Sequence, residues 1–160
     1  MKTLLTLILL VSSICLAFCQ PKSETNHLPK YYKNAIVVSA GGTHDFYNFY
    51  VAGFVQFERI IHSSPTGNIF GVSIGTGAST ENYIPLIIRT YGLFGIASNK
   101  FELALGITRT PLERGYHDKF STTFISGIIG YRYQNPTKRF LFRIGAGFPE
   151  LITVGLGKQF

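Results

Sequence analysis

The stretch that decides the fold is ITVGLGKQF, from Ile152 to Phe160. One parity of this stretch carries apolar or long side chains: Ile152, Val154, Leu156, Lys158 and Phe160. The other parity carries glycine and polar side chains: Thr153, Gly155, Gly157 and Gln159. Side chains of a β-strand point alternately to its two faces. The pattern therefore predicts a strand that lies between two different surroundings.

The same alternation recurs along the chain, and turn-forming segments divide it into eight predicted strands. We place the strands at residues 34–42, 48–62, 68–78, 84–97, 100–110, 120–134, 138–147 and 151–160. Three connections are tight and rich in Pro, Gly, Ser and Asn, at residues 62–68, 97–100 and 135–138. They alternate along the chain with connections of a different kind. Both ends of the strand array then lie on the side of the tight turns. The sequence predicts an all-β fold, an eight-stranded antiparallel up-and-down barrel.

The two parities differ in chemistry throughout the predicted strands. The parity of Phe160 is apolar, with residues such as Val55, Ile74, Ile88, Leu105 and Ile129. The opposite parity is rich in glycine and carries five charged residues: Glu58, Arg89, Glu102, Arg132 and Arg143. A soluble sandwich or lipocalin-like barrel would bury the apolar parity and give water a glycine-rich surface with almost no Lys or Glu. Such a surface is poorly soluble, and its long uncharged edge strands invite aggregation.

A lipid environment removes this difficulty. Charged residues make up only 14% of the 160-residue chain, against roughly 25% in soluble domains. Strands of about ten residues also match the tilted span of a membrane barrel. Aromatic residues near the tight turns predict a girdle at the membrane interface: Tyr31, Tyr32, Phe57, Phe101, Tyr131, Tyr133, Phe140 and Phe160. We therefore predict a transmembrane barrel with its apolar face toward lipid.

The N-terminus has the features of a secretory signal peptide over residues 1–19. A basic Lys2 precedes an apolar run, Leu4–Val11, that is too short to anchor the chain in a bilayer. Small residues near Cys19 predict cleavage after it. The alternative is lipidation of Cys19, against which the bulky Phe18 argues.

Two segments follow the predicted signal peptide. Residues 20–33 are polar and without periodicity, and we interpret them as a flexible lead to the barrel domain at 34–160. Both cysteines, Cys15 and Cys19, precede the lead, so no disulfide framework supports the mature fold. The formal net charge of +7 is spread without the clustered basic face that nucleic acid requires. An anionic membrane surface explains it better.

These features together resemble the small eight-stranded outer-membrane β-barrels of Gram-negative bacteria. The resemblance covers nearly the whole mature chain and rests on architecture rather than on an internal motif. It implies a monomer in the outer membrane that contacts membrane lipid and lipopolysaccharide. In that family the final strand is a signal for the barrel-assembly machinery, which implies this role for Ile152, Val154, Leu156 and Phe160. Lys158 departs from the apolar pattern at a position where its side chain can snorkel to the interface.

The charged residues of the inner parity are the candidate site. Glu102 and Arg132 fall on neighbouring strands at similar depth, so we expect them to pair, because an unpaired buried charge costs several kcal/mol. Glu58, Arg89 and Arg143 extend this cluster across the lumen. Since side chains just fill an eight-stranded barrel, we interpret the cluster as a structural plug of ion pairs. The alternative is a narrow gated pore or a proton path.

The loops opposite the tight turns hold the candidates for catalysis. Some barrels of this size remodel lipopolysaccharide with a Ser or His and a carboxylate near the outer rim. Here the candidates are His117, Asp118 and Ser121, together with His44 and Asp45. Their spacing matches neither a nucleophile elbow nor a metal motif. We therefore predict no catalytic, cofactor-binding or metal-binding residues.

The sequence thus predicts a non-enzymatic outer-membrane barrel with a structural or interaction role in the cell envelope. Two alternatives remain. One is an outer-membrane enzyme that remodels the acyl chains of lipid A, and the other is a soluble secreted barrel that binds an apolar ligand.

Overall fold

The computed structural model describes residues 31–44, 49–80, 84–95, 97–114, 118–135 and 138–160, without the side chains at 43–44, 110–114 and 118–122. The strands are β1 (Asn34–His44), β2 (Phe49–Ser63), β3 (Ile69–Ser79), β4 (Leu86–Phe94), β5 (Asn99–Arg114), β6 (Asp118–Gln134), β7 (Phe140–Phe148) and β8 (Glu150–Gln159). They form one closed antiparallel barrel in chain order. The predicted all-β fold of eight antiparallel strands is confirmed. Among the described residues, no helix is long and apolar enough to cross a membrane.

The barrel closes where β8, which contains the alternating stretch that begins at Ile152, pairs with β1. Ser39 of β1 lies opposite Gly155 of β8, and the ladder runs from Ala35 opposite Gln159 to Thr43 opposite Glu150. Backbone hydrogen bonds between Asn34 and Phe160, of 3.1 and 2.9 Å, complete the seam at the chain end. A closed barrel leaves no free sheet edge along this seam.

The bounds of β4 are shorter than predicted, and the cause is local. Pro85 precedes the strand and has no N–H to give to a ladder. Gly95 follows it with φ of 139°, a conformation that side-chain-bearing residues rarely adopt. These two residues confine β4 to Leu86–Phe94, inside the predicted span of 84–97.

The hairpin of β5 and β6 is longer than predicted. The segment 110–119, expected as a connection, is mostly strand, with Pro111 opposite Ser121 and Arg114 opposite Asp118. This segment contains Pro111 and several charged residues, so it does not show the alternation of apolar and polar residues that predicts a strand. Beyond Arg109, β5 has no partner residue on β4, so the hairpin extends past the neighbouring strands.

The side chains divide between two faces as the alternation predicts. One apolar residue from each strand shows the exposed outer face, each at least 43% exposed: Val38, Val55, Ile74, Ile88, Leu105, Ile129, Ile144 and Leu156. The inner face fills the lumen with three clusters of buried apolar side chains between the charged groups. The largest contains Tyr31, Ile69, Tyr91, Leu93, Ala104 and Ile128. Tyr31, expected in the outer aromatic girdle, lies inside the barrel.

Candidate functional site: the charged lumen

Alternation along the strands places all five predicted lumen charges on the inner face. Glu58 comes from β2, Arg89 from β4, Glu102 from β5, Arg132 from β6 and Arg143 from β7. None of them is more than 5% exposed. The structure brings four of them together and places Arg89 in a separate ion pair.

The first group, which we call the four-charge cluster, consists of Glu58, Glu102, Arg132 and Arg143. Glu58 is its centre, because Arg132 Nη2 donates to Glu58 Oε2 at 2.6 Å and Arg143 Nη1 donates to Glu58 Oε1 at 3.2 Å. Arg143 also donates to Gln56 Oε1 at 2.9 Å. Since β2 and β6 are opposite strands of the ring of eight, the Glu58–Arg132 pair crosses the lumen.

Glu102 is the looser member of the four-charge cluster. Its Oε1 lies 3.8 Å from Arg132 Nη1 and 3.6 Å from Arg143 Nη1. The pairing expected between Glu102 and Arg132 is therefore an ion pair at long range, and the close hydrogen bond of Arg132 goes to Glu58 instead. Within the described part of the chain, Arg132 Nε and Nη1 and Arg143 Nε have no hydrogen-bond partner. Charge attraction, more than complete hydrogen bonding, holds this cluster.

Tyr91 supports the four-charge cluster from β4. The guanidinium carbon of Arg132 lies 5.3 Å from the centroid of the Tyr91 ring, within the range of a cation–π contact. Tyr91 also belongs to the largest apolar cluster of the lumen. The arginine therefore lies between a carboxylate and an aromatic face.

The second group is an ion pair between Arg89 of β4 and Glu150 of β8, also opposite strands of the barrel. Arg89 Nη2 donates to Glu150 Oε1 at 2.5 Å and to Oε2 at 2.6 Å. Two hydroxyl oxygens, from β6 and β5, accept further bonds from the guanidinium: Ser126 Oγ from Nε at 3.1 Å, and Thr108 Oγ1 from Nη2 at 3.4 Å. Glu150, which sequence reasoning left in a connection, is 1% exposed.

A bulge explains why the sequence pattern missed Glu150. By strict alternation Glu150 would share the outward parity of Ile152. The β1–β8 register shifts between Gly42 and Thr43, so that Ile152 and Glu150 lie opposite consecutive residues of β1. Leu151 and Ile152 are both exposed, and Glu150 is turned inward. The inward position of the carboxylate that neutralises Arg89 thus depends on one extra residue in β8.

Lys100 and Tyr31 close the lumen at the tight-turn end. Lys100 Nζ donates to the carbonyl oxygens of Gly67 and Gly95 at 2.7 and 2.8 Å, and it lies 5.4 Å from the Tyr31 ring centroid. The Tyr31 hydroxyl donates to Ala97 O at 3.2 Å. Burial raises the pKa of the Tyr31 phenol above its usual value, so it remains a neutral donor. Lys100 is the last residue of the predicted turn 97–100 and the first of the predicted strand 100–110; it shares the inner parity of Glu102 but is not among the predicted lumen charges.

Of the residues predicted to form the assembly signal, three lie on the outer face of β8, and Phe160 directly follows the strand. Ile152, Val154, Leu156 and Phe160 are 61%, 44%, 54% and 49% exposed. The ring of Phe160 lies 6.4 Å from that of Phe57 on β2. They form an apolar stripe along the strand that closes the barrel, interrupted by the exposed Lys158 between Leu156 and Phe160.

The loop residues considered for catalysis are placed differently. Asp45 and His117 lie outside the described residues, as do the side chains of His44, Asp118 and Ser121. Among the residues that the structure describes, no group of three or more His, Cys, Asp or Glu side chains is arranged to hold a metal ion. The five predicted lumen charges form ion pairs with one another or with Glu150.

None of the protein-family models, curated proteins or solved structures compared with this chain matches it.

Proposed function

We propose that this chain is an outer-membrane β-barrel that spans the bilayer and has a structural or interaction role in the cell envelope, without catalysis. The observation that carries the proposal is the outer face, where exposed apolar side chains follow one another on all eight strands. Soluble monomers rarely expose apolar patches larger than a few hundred Å². In a bilayer the same face contacts acyl chains.

The backbone and the lumen agree with this proposal. A closed barrel satisfies its backbone hydrogen bonds between strands, which the hydrocarbon interior of a membrane requires. The glutamates of the described lumen each lie within ion-pair distance of an arginine. Charged groups that could not face lipid are therefore held inside.

The filled lumen favours a plug over a conducting pore. Two ion pairs cross it between opposite strands, and buried apolar clusters lie between the charged groups. We therefore propose that the charges stiffen the barrel and exclude ion flow. Export through the signal peptide at residues 1–19 and monomeric insertion complete the proposal.

The test uses tryptophan fluorescence, because the chain contains no tryptophan of its own. Val55 and Phe54 are adjacent on β2, at the same depth but on opposite faces, 52% and 3% exposed. In vesicles with acyl-chain-brominated lipids, Val55→Trp should be strongly quenched and Phe54→Trp only weakly. Heat-modifiable gel mobility verifies that each variant is folded. Equal quenching, or a folded barrel that stays in the aqueous fraction, would overturn the membrane proposal in favour of a soluble barrel.

A second test addresses assembly in cells. Phe160 and Phe140 are outward aromatics on neighbouring strands, each 49% exposed. If Phe160 belongs to a terminal assembly signal, Phe160→Ala should lower the amount of folded barrel in the outer membrane far more than Phe140→Ala. Equal losses would show that both residues act only as interface aromatics.

A further inference from the structure

The tight-turn end of the barrel has two unlike halves. Around β7, β8, β1 and β2, five basic side chains are exposed: Lys33, Arg59, Lys138, Arg139 and Lys158. Around β3 to β6, the described outward residues at this end are aromatic or uncharged, including Phe94, Phe101 and Tyr131. We call the five residues of the first half the basic patch.

Strand register places the members of the basic patch close together. Lys158 lies opposite Ile36 on one side and Phe140 on the other, and Arg59 lies opposite Asn34. Asn34 is in turn hydrogen-bonded to Phe160 through the backbone. Neighbouring strands are about 5 Å apart, so four adjacent strands cover roughly 15 Å. The cations therefore surround the end of β8 within the width of a few headgroups.

An apolar floor adjoins the basic patch at the level of Lys158. The outward row at the level of Lys158 contains Phe57, Ile36 and Phe140, and the Phe57 ring approaches that of Phe160. Arg139 lies 5.8 Å from the ring centroid of Tyr32. Basic side chains next to an aromatic and aliphatic surface are complementary to a molecule with an anionic head and apolar chains.

No described glutamate side chain lies on the outer surface beside the basic patch. The glutamates whose side chains are described are Glu58, Glu102 and Glu150, and all three face the lumen and pair with arginines there. None of the ion pairs among the described residues includes a member of the patch. Like charges grouped in this way repel one another, and an anion that binds among them removes this repulsion.

We infer that the basic patch binds the phosphate of an anionic phospholipid in the leaflet that surrounds the tight turns, with the acyl chains on the apolar floor. This inference rests on the proposed membrane-spanning function. Outer-membrane barrels have short periplasmic turns and longer outer loops, so in the proposed outer-membrane barrel that leaflet is the periplasmic one, which makes a phospholipid the occupant rather than lipopolysaccharide. Arg59 and Lys158 lie on either side of β1, and both point outward, so they are the central phosphate ligands.

The experiment compares lipid retention by native mass spectrometry. The folded barrel in detergent is titrated with phosphatidylglycerol or with phosphatidylcholine of identical acyl chains. The wild type should retain phosphatidylglycerol about tenfold better, since each basic residue near an anionic surface contributes severalfold to binding. Arg59→Gln with Lys158→Gln should abolish this preference.

The control is Arg109→Gln, which removes an exposed arginine of β5 at the opposite end of the barrel. It should leave the preference intact. Equal retention of both lipids by the wild type, or a preference that survives the double substitution, would overturn the inference. So would loss of preference in Arg109→Gln alone, and so would stronger retention of lipopolysaccharide through the same two residues. Displacement of the lipid by an equal concentration of inorganic phosphate would show a free-anion site instead.

Quenching of Val55→Trp by brominated lipids, measured on the same preparations, separates the two proposals. Quenched fluorescence without a phosphatidylglycerol preference rejects the patch and leaves the membrane barrel standing. Unquenched fluorescence rejects the membrane barrel, and the lipid site with it.

Discussion

The Arg89–Glu150 pair and the four-charge cluster neutralise buried arginines in two different ways. In the Arg89–Glu150 pair, one nitrogen contacts both carboxylate oxygens, and hydroxyl oxygens accept further bonds. In the four-charge cluster, Glu58 serves two arginines, and three guanidinium nitrogens have no hydrogen-bond partner among the described residues. The pair has its hydrogen-bond partners within itself and its two hydroxyl neighbours, whereas the members of the cluster share their charges. Substitutions within the cluster should therefore have non-additive effects on stability, and substitutions in the pair should not change the effects of substitutions in the cluster.

The largest effect is expected at the shared carboxylate. Glu58→Gln leaves Arg132 and Arg143 with Glu102 as the remaining anion of the cluster, at 3.6 Å or more. Removing one partner of a buried ion pair costs about 3–5 kcal/mol, because the other charge stays buried and uncompensated. Urea unfolding of the barrel in lipid vesicles measures this loss.

Glu102→Gln is the matched control in the same cluster. It removes the same charge, but Glu102 only approaches the arginines at 3.6 and 3.8 Å. We expect a loss of about 1 kcal/mol, the size of a weak interaction in this environment. Equal losses for the two glutamates would contradict the central role of Glu58.

The sequence predicts the charged residues of the four-charge cluster but only the arginine of the Arg89–Glu150 pair, for a physical reason. Period-two alternation is a property of the regular strand, so it found the inward residues of β2, β5, β6 and β7, including Glu58 and Arg132. It could not find Glu150, since the register shift beside Gly42 reverses the parity at that point. A bulge depends on pairing with a strand that is distant in sequence, so the local sequence pattern does not predict it.

The pairing within the four-charge cluster was likewise beyond the sequence. Adjacent strands suggested Glu102 as the partner of Arg132. The long arginine side chain instead crosses the lumen to Glu58 on the opposite strand. Strand order and parity define which residues share the lumen, whereas the choice of partner depends on barrel diameter and side-chain reach.

A double-mutant cycle on the second group tests whether its energetics are local. Glu150→Gln should cost about 2–3 kcal/mol, less than Glu58→Gln, because Ser126 and Thr108 still accept hydrogen bonds from Arg89. Arg89→Met together with Glu150→Gln should cost less than the sum of the two single losses, with a coupling of about 1–3 kcal/mol. Unfolding in urea gives all three values.

The control for this cycle crosses between the groups. Glu150→Gln combined with Glu102→Gln should be additive within about 0.5 kcal/mol, since the two carboxylates share no hydrogen-bond partner among the described residues. Strong coupling here would mean that the two groups form one network, and the distinction between them would be lost.

Effects smaller than that of Glu58→Gln are expected at the glycines that accommodate the arginine stems. A methyl group at Gly106 would clash with the carbonyl oxygen of Ile88 and lie 2.8 Å from Arg89 Cγ, whereas one at Gly155 would lie 3.0 Å from Ser39 Cβ and 3.2 Å from Arg143 Cγ. Contacts this close force side chains or backbone to shift, at about 1–3 kcal/mol. Because the contact at Gly106 is tighter, Gly106→Ala should be the more destabilising of the two.

Gly53 on the outer face of β2 provides the reference for these glycine substitutions. A methyl group there would meet nothing nearer than Ser39 O at 4.0 Å, so Gly53→Ala should change stability by no more than about 0.5 kcal/mol. The expected order of destabilisation is Gly106→Ala, then Gly155→Ala, then Gly53→Ala, measured by urea unfolding. If Gly155→Ala cost more than Gly106→Ala, the ranking by contact distance would be wrong, and β4 would have to move away from β5 more easily than Ser39 and Arg143 move away from β8.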